Sequence, residues 1–164
     1  MTNTPTPKFP VMTHSLHAEL KRRVNHYLEN NAIKATGNFK LFSKAIILMS
    51  LFVITYIHLI FFTPSAGYAL LECILFGSLI AAIGFNVMHD GSHGSFSKYP
   101  WLNKLAFSSI SVMGASRHMW AMKHVTLHHT YTNIDGVDDD IEIGFLMRMA
   151  PTQKHYLLHR FQHI

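Results

Sequence analysis

A single cysteine, Cys73, in 164 residues removes two classes of architecture at once, because a disulfide framework and a thiolate-built zinc or iron–sulfur site each need several sulfurs close together. Charge is scarce too: 14% of residues are charged and 49% are hydrophobic, with a mean hydropathy of +0.16, a balance that points to the bilayer more than to water. Acids are the scarcer sign, 9 against 14 Lys and Arg. The basic residues are spread along the chain without a recognition motif, which argues against nucleic acid and for a membrane surface. Two stretches lack charge almost entirely. Residues 45–62 carry none, enough at about 1.5 Å per residue to cross a hydrocarbon core of roughly 30 Å, and residues 68–88 carry only Glu72. The long polar segment ahead of the first run and the lack of a small-residue cleavage site after it argue against a cleaved signal peptide.

What is present fits that frame. Residues 1–44 hold half of the basic residues (Lys8, Lys21, Arg22, Arg23, Lys34, Lys40, Lys44) against Glu19 and Glu29. A Thr/Pro-rich opening reads as unstructured. From His14 to Asn30 the apolar Leu16, Leu20, Val24 and Leu28 fall on one helical stripe, suited to a membrane or protein surface. Thr63-Pro64-Ser65-Ala66-Gly67 supplies turn chemistry between the two uncharged runs. That turn has no Lys or Arg, so the positive-inside rule places both flanks on the cytosolic side. Residues 105–115 are apolar but too short to cross, and read as an interfacial or re-entrant segment. The expected fold is an all-α membrane protein: a transmembrane helical hairpin (45–62 and 68–88), preceded by a basic cytosolic segment (1–44) and followed by a cytosolic region (89–164) whose helices carry histidine boxes. Two ionisable residues inside the runs, His58 and Glu72, lie at similar depth from the turn and should clasp each other.

With sulfur nearly absent, the 13 histidines are the abundant metal-capable side chains. His89 and His93 are four apart at the cytosolic end of the second run; His124, His128 and His129 form a second cluster. On a helix, positions i and i+4 share a face and can hold one metal, while His129 points elsewhere and can reach a second ion. Imidazole nitrogen suits iron, zinc, copper and nickel. A ligating imidazole donates its other N–H to an outer acceptor. Asp90, Asn133 and the run 138–140 with Glu142 are placed for this, Asp138 and Asp139 being singled out. Trp120 reads as an interfacial anchor. His155, His159 and His163 repeat at four-residue spacing; His163 is the candidate for an additional metal ligand, against an ordinary surface role for all three. His14, His17 and His26 read as solvated. Lys98, Lys104, Arg117 and Lys123 are candidates for meeting a substrate headgroup.

His89-Asp90-Gly91-Ser92-His93 with Asn86 just ahead, then Trp120, Lys123, the stretch HVTLHHTYTN over 124–133, and Ile134-Asp135-Gly136-Val137-Asp138-Asp139-Asp140-Ile141 together resemble the membrane fatty acid desaturases, in particular the bacterial linoleoyl-CoA and acyl-lipid front-end branch. The resemblance runs from about Lys8 to the last residue. It implies four membrane spans in a multi-pass protein and a cytosolic di-iron centre held by three histidine boxes, with O2-dependent insertion of a double bond into an acyl chain. It further implies two Fe2+ ions with His89, His93, His124, His128 and His129 as ligands, O2 as co-substrate, a fatty acyl-CoA or acyl-lipid substrate, and an external electron donor, a ferredoxin or b-type cytochrome. The family's third box and second pair of spans are missing from this sequence. Five imidazoles fall short of the roughly eight ligands that two irons want, so the chain is expected to be the N-terminal part of a desaturase with an incomplete site, inactive alone. Two other readings stay open: a membrane di-iron hydroxylase, distinguished by adding a hydroxyl instead of removing hydrogens, and a metal-binding membrane hairpin without turnover.

Overall fold

The computed structural model describes residues 7–9 and 15–163; His14 and most of the Thr/Pro-rich opening lie outside them. Two compact units result, one of residues 14–117 and one built mainly of residues 118–164. Every regular element among the described residues is helical, and two helices are long and apolar enough to cross a membrane.

In the first unit, α1 (Leu16–Asn30) starts where the Ser15 side chain accepts from Ala18 N. Hydrogen bonds from Arg22 and then Arg23 hold the Glu19 carboxyl down to about 2. His17 and His26 are exposed, as a solvated role requires. The next helix, α2 (Phe39–Phe61), begins ahead of its uncharged run because Asn38 accepts from Leu41 N at 3.2 Å and so satisfies one of the free first-turn donors. It is antiparallel to α3 (Ala66–Ile83), with Phe52 and Phe76 stacked at 4.7 Å between them. The core of this unit is Ala45, Phe52, Leu79, Ile83, Val87, Phe96 and Ala106. Outward, Ile46, Ile54, Phe61, Leu70, Leu71 and Ile74 are exposed. A continuous apolar face of this kind is costly in water and at home in lipid.

The polar residues within the runs find one another. His58 Nδ1 pairs with one Glu72 oxygen, and Thr63 Oγ1 lies 2.6 Å from the other, closing the turn. This is the clasp that depth in the membrane predicts.

Beyond α3 the helix continues as a π-turn (Gly84–Met88) and then α4 (His89–Ser92). A short loop leads to α5 (Pro100–Val112), whose 13 residues span about 20 Å, less than a bilayer core. Gly91 lets α4 and α5 touch: a Cβ there would meet Phe107 N at 2.6 Å, Ala106 Cβ at 2.8 Å and Asn103 O at 2.9 Å. Two of those three atoms are backbone and cannot swing away. Gly91→Ala is therefore expected to destabilise this unit by about 1–3 kcal/mol through overpacking. Gly77→Ala, whose added methyl meets nothing within 4 Å, should be neutral or slightly stabilising. Thermal unfolding of the two variants in detergent checks the contrast.

α6 (Arg117–Trp120) begins on the last residue of the first unit and leads, in the second, into a π-helix (Ala121–His128), α7 (His129–Tyr131) and a loop segment with short 3-10 turns at Asp139–Ile141 and Leu157–Phe161. Polar side chains hold the loops. Gln153 accepts from Met149 N and Ala150 N while donating to Ile141 O and Glu142 Oε1. Glu142 is thus spent on Gln153. His159 is buried, its Nδ1 accepting from Tyr156 N at 3.2 Å and its Nε2 donating to Phe145 O at 2.9 Å. Both nitrogens of His159 thus serve the backbone, which removes it from any ligand face, while its ring meets that of His155 edge-on at 5.9 Å. His163 lies exposed in the turn that follows.

Candidate metal centre

The first box sits where α3 changes register. His89 N–H bonds to Gly84 O, five residues back, and α4 then turns once before His93 caps it. The two rings stand 4.6 Å apart, tilted by 61°. Asp90 serves mainly through its backbone: its carbonyl accepts from Ser95 N at 2.9 Å and Phe96 N at 3.2 Å, folding the following loop onto the box. Its carboxylate is 3.7 Å from His89 Nδ1, beyond hydrogen-bond length.

In the second box His124 and His128 ride on the π-helix and His129 follows directly as the first residue of α7, and that changes which histidines meet. In an α-helix His129 would point about 140° away from His124; with i→i+5 bonding and about 4.4 residues per turn the offset shrinks to about 50°. The bond from His129 N–H to His124 O marks that register. As a result all three rings cluster: His124 and His128 are stacked at 5.2 Å, and His129 meets them edge-on at 5.0 and 5.2 Å. Spacing on an α-helix had placed His129 apart from the pair. Trp120 packs its ring 4.4 Å from that of His124, so it props a candidate ligand instead of serving only as an interfacial anchor.

The acidic run backs this cluster. His128 Nδ1 lies 3.0 Å from both oxygens of Asp138, and His124 Nδ1 lies 2.5 Å from Asp140 Oδ2. Asp139 instead meets Lys123 at 2.9 Å, in a half-exposed pair. The sequence singled out Asp138 and Asp139; the carboxylate on the second imidazole is Asp140's. A 3-10 turn over Asp139–Ile141 rotates successive side chains by about 120°, so neighbouring acids reach different partners. Asp138 is fully buried and accepts from Asn133 N at 2.8 Å and Asp140 N at 3.1 Å as well as from His128. Burial pushes its carboxyl up, but the Asn133 amide, the His128 ring and the Asp140 amide outweigh that and hold it below the ordinary range. Asn133 acts through its backbone, held at φ 64°.

The donor set fits a metal that takes imidazole. When Nδ1–H is given to a carboxylate, Nε2 carries the lone pair, so Asp138 and Asp140 favour the tautomer in which His128 and His124 would offer Nε2 to a metal. The candidate donor atoms of His124, His128 and Asp140 lie within 4.8 Å of one another. At 2.5 Å from a ring nitrogen, Asp140 is placed as the outer acceptor.

The chain is 40% identical to the sn-1 linoleoyl-lipid 6-desaturase of Arthrospira platensis over 88% of its own length and 39% of that protein's. It is 32% identical to the protein of that same name in Synechocystis sp. over 87% of the chain and 40% of the relative, and 31% identical to an acyl-lipid (8-3)-desaturase of Physcomitrium patens over 88% and 31%. The chain thus spans well under half the length of these relatives. No solved structure matches it. The family description "Fatty acid desaturase" matches residues 63–164, a stretch that takes in both histidine boxes and the acidic run. On that match, the chain belongs to the fatty acid desaturase family.

Proposed function

We propose that this chain carries the first two histidine boxes of a membrane acyl-lipid desaturase, with His89, His93, His124, His128 and His129 contributing to one di-iron centre on the cytosolic side. The observation that carries the reading is the second box: three imidazoles gathered by a π-helix, two of them braced by carboxylates, within a stretch that the family description covers. Bound ferrous iron with O2 supplies the oxidising power to remove hydrogen from an unactivated methylene, which no side chain has. In balance, an acyl CH2–CH2 pair, O2, two electrons and two protons give CH=CH and two waters. The electrons come from an external ferredoxin or b-type cytochrome.

The chain's own residues do the rest. Asp138 and Asp140 hold the ring protons on Nδ1, and Trp120 limits how far His124 can turn. An apolar groove of about 440 Å³ between α2 and α5, lined by Ala45, Met49, Val87, Leu105, Ser109 and Val112, is the acyl-chain seat in this reading. The relatives' names favour a lipid-linked linoleoyl group over acyl-CoA as substrate.

The test is to express the chain in linoleate-fed cells with the remaining portion of the Arthrospira platensis relative. Host acyl chains are then analysed by mass spectrometry. A new double bond in lipid-linked chains is expected. Hydroxylated chains would support a hydroxylase, and unchanged lipids despite bound iron would refute the assignment.

A further inference from the structure

Lys44 stands at the head of the uncharged run in α2, yet its ammonium is committed across the hairpin. Its Nζ donates to Asn86 Oδ1 at 2.6 Å, and Asn86 Nδ2 donates in turn to the carbonyl of Ala82 at 2.7 Å. An ammonium only donates and a carbonyl only accepts, so the two partners fix the amide's orientation between them. Ala82 lies in the last turn of α3 and Asn86 in the π-turn. At such a junction carbonyl partners shift from i+4 to i+5, and an amide delivered there supports a carbonyl through the change of register.

That register matters for the first box. One extra residue in a turn rotates everything after it by about 100° relative to an unbroken α-helix. The direction in which His89 and His93 face therefore depends on the π-turn persisting. Packing fixes one side of the widened turn, where Val87 and Met88 are buried, while Phe85 on the other side is 78% exposed, so the polar clamp acts beside the core contacts.

We propose that Lys44 and Asn86 are positioning residues: from the neighbouring helix they hold the π-turn over Gly84–Met88 and so set the facing of the first histidine pair. The effect on turnover rests on the desaturase reading; the control of register does not.

Amide hydrogen exchange on the full chain in lipid nanodiscs tests this, with thermal unfolding to confirm that each variant is folded. Lys44→Met and Asn86→Leu should each speed exchange at Val87, Met88 and His89 about tenfold or more and leave Leu79 within about twofold. The double variant should add little to either single one. Lys44→Arg, which keeps a cationic donor, should restore the unaltered pattern. Asn86→Asp keeps an acceptor for Lys44 but turns an oxygen toward the Ala82 carbonyl, so it should behave as Asn86→Leu does.

Unchanged exchange at 87–89 in Lys44→Met, as for a lysine that only attracts lipid headgroups, would overturn the proposal. So would a parallel rise through all helices, which marks general destabilisation, or wild-type behaviour of Asn86→Asp. Cobalt titration gives the metal readout: Lys44→Met should bind more weakly by about tenfold at equal folded fraction, and Lys44→Arg should not. If the variants show the exchange pattern but the unaltered chain gives no new double bond in the lipid assay, the desaturase reading fails and the clamp stands. Lost turnover in Lys44→Met with unchanged exchange gives the reverse.

Discussion

Asp138→Asn should cost the second unit about 3 kcal/mol and weaken its metal binding about 10- to 100-fold, although the side chains are nearly the same shape. Both carboxylate oxygens accept: Oδ1 from Asp140 N and the His128 ring, Oδ2 from Asn133 N and the same ring. An asparagine must put an NH2 where one of those donors already points, in a site with no water to absorb the mismatch, since Asp138 has 0% exposure. His128 then loses the acceptor that keeps its proton on Nδ1. Asp139→Asn, next in the chain, breaks only a half-exposed pair with Lys123 and should cost under about 1 kcal/mol. Chemical unfolding and cobalt titration of the two variants decide it. The same carboxylate sets an acid limit. Its folded-state pKa lies below the ordinary value, so its stabilisation is fully present above that value and is lost as pH falls through the lowered one. Asp138→Asn should flatten that acid dependence.

His129→Ala should abolish desaturation, a loss of at least about 100-fold, while leaving metal-free stability within about 0.5 kcal/mol. His129 is exposed and meets His124 and His128 edge-on, so its truncation leaves no buried cavity. His159→Ala should do the opposite. It strands the Phe145 carbonyl and the Tyr156 amide and costs about 2–4 kcal/mol, with metal affinity preserved in the folded fraction. Thermal unfolding without metal, paired with lipid analysis in the complemented system, separates the ligand from the structural histidine. If His129→Ala unfolds the chain, or keeps its activity, the ligand role is wrong.

Much of this was legible in the sequence for a simple reason: a long uncharged run has few fates, and an ionisable residue inside one needs a partner. Residues 45–62 and 68–88 showed themselves that way, and depth alone paired His58 with Glu72. The histidine boxes were legible because few side chains other than imidazole were available to bind a metal. The register of the helices that carry them was not. Nothing in the residue types of 84–88 or 121–128 distinguishes a π-turn from an α-turn, because that choice is made by tertiary partners such as the Lys44 ammonium. For the same reason the edge-on meeting of His129 with His124 and His128 is not legible from α-helical spacing, and residue types alone do not choose Asp140 over Asp139 as the partner of His124. The role of Gly91 was equally hidden, since the helix that presses on it is formed by residues further along the chain.

X-ray absorption at the metal edge, recorded on the iron- or cobalt-loaded chain and on His89→Ala and His129→Ala, tests most directly whether both boxes serve one centre. The account predicts a nitrogen and oxygen shell without sulfur, and a lower imidazole count in each variant. A sulfur shell, or an unchanged imidazole count in His89→Ala, would contradict it.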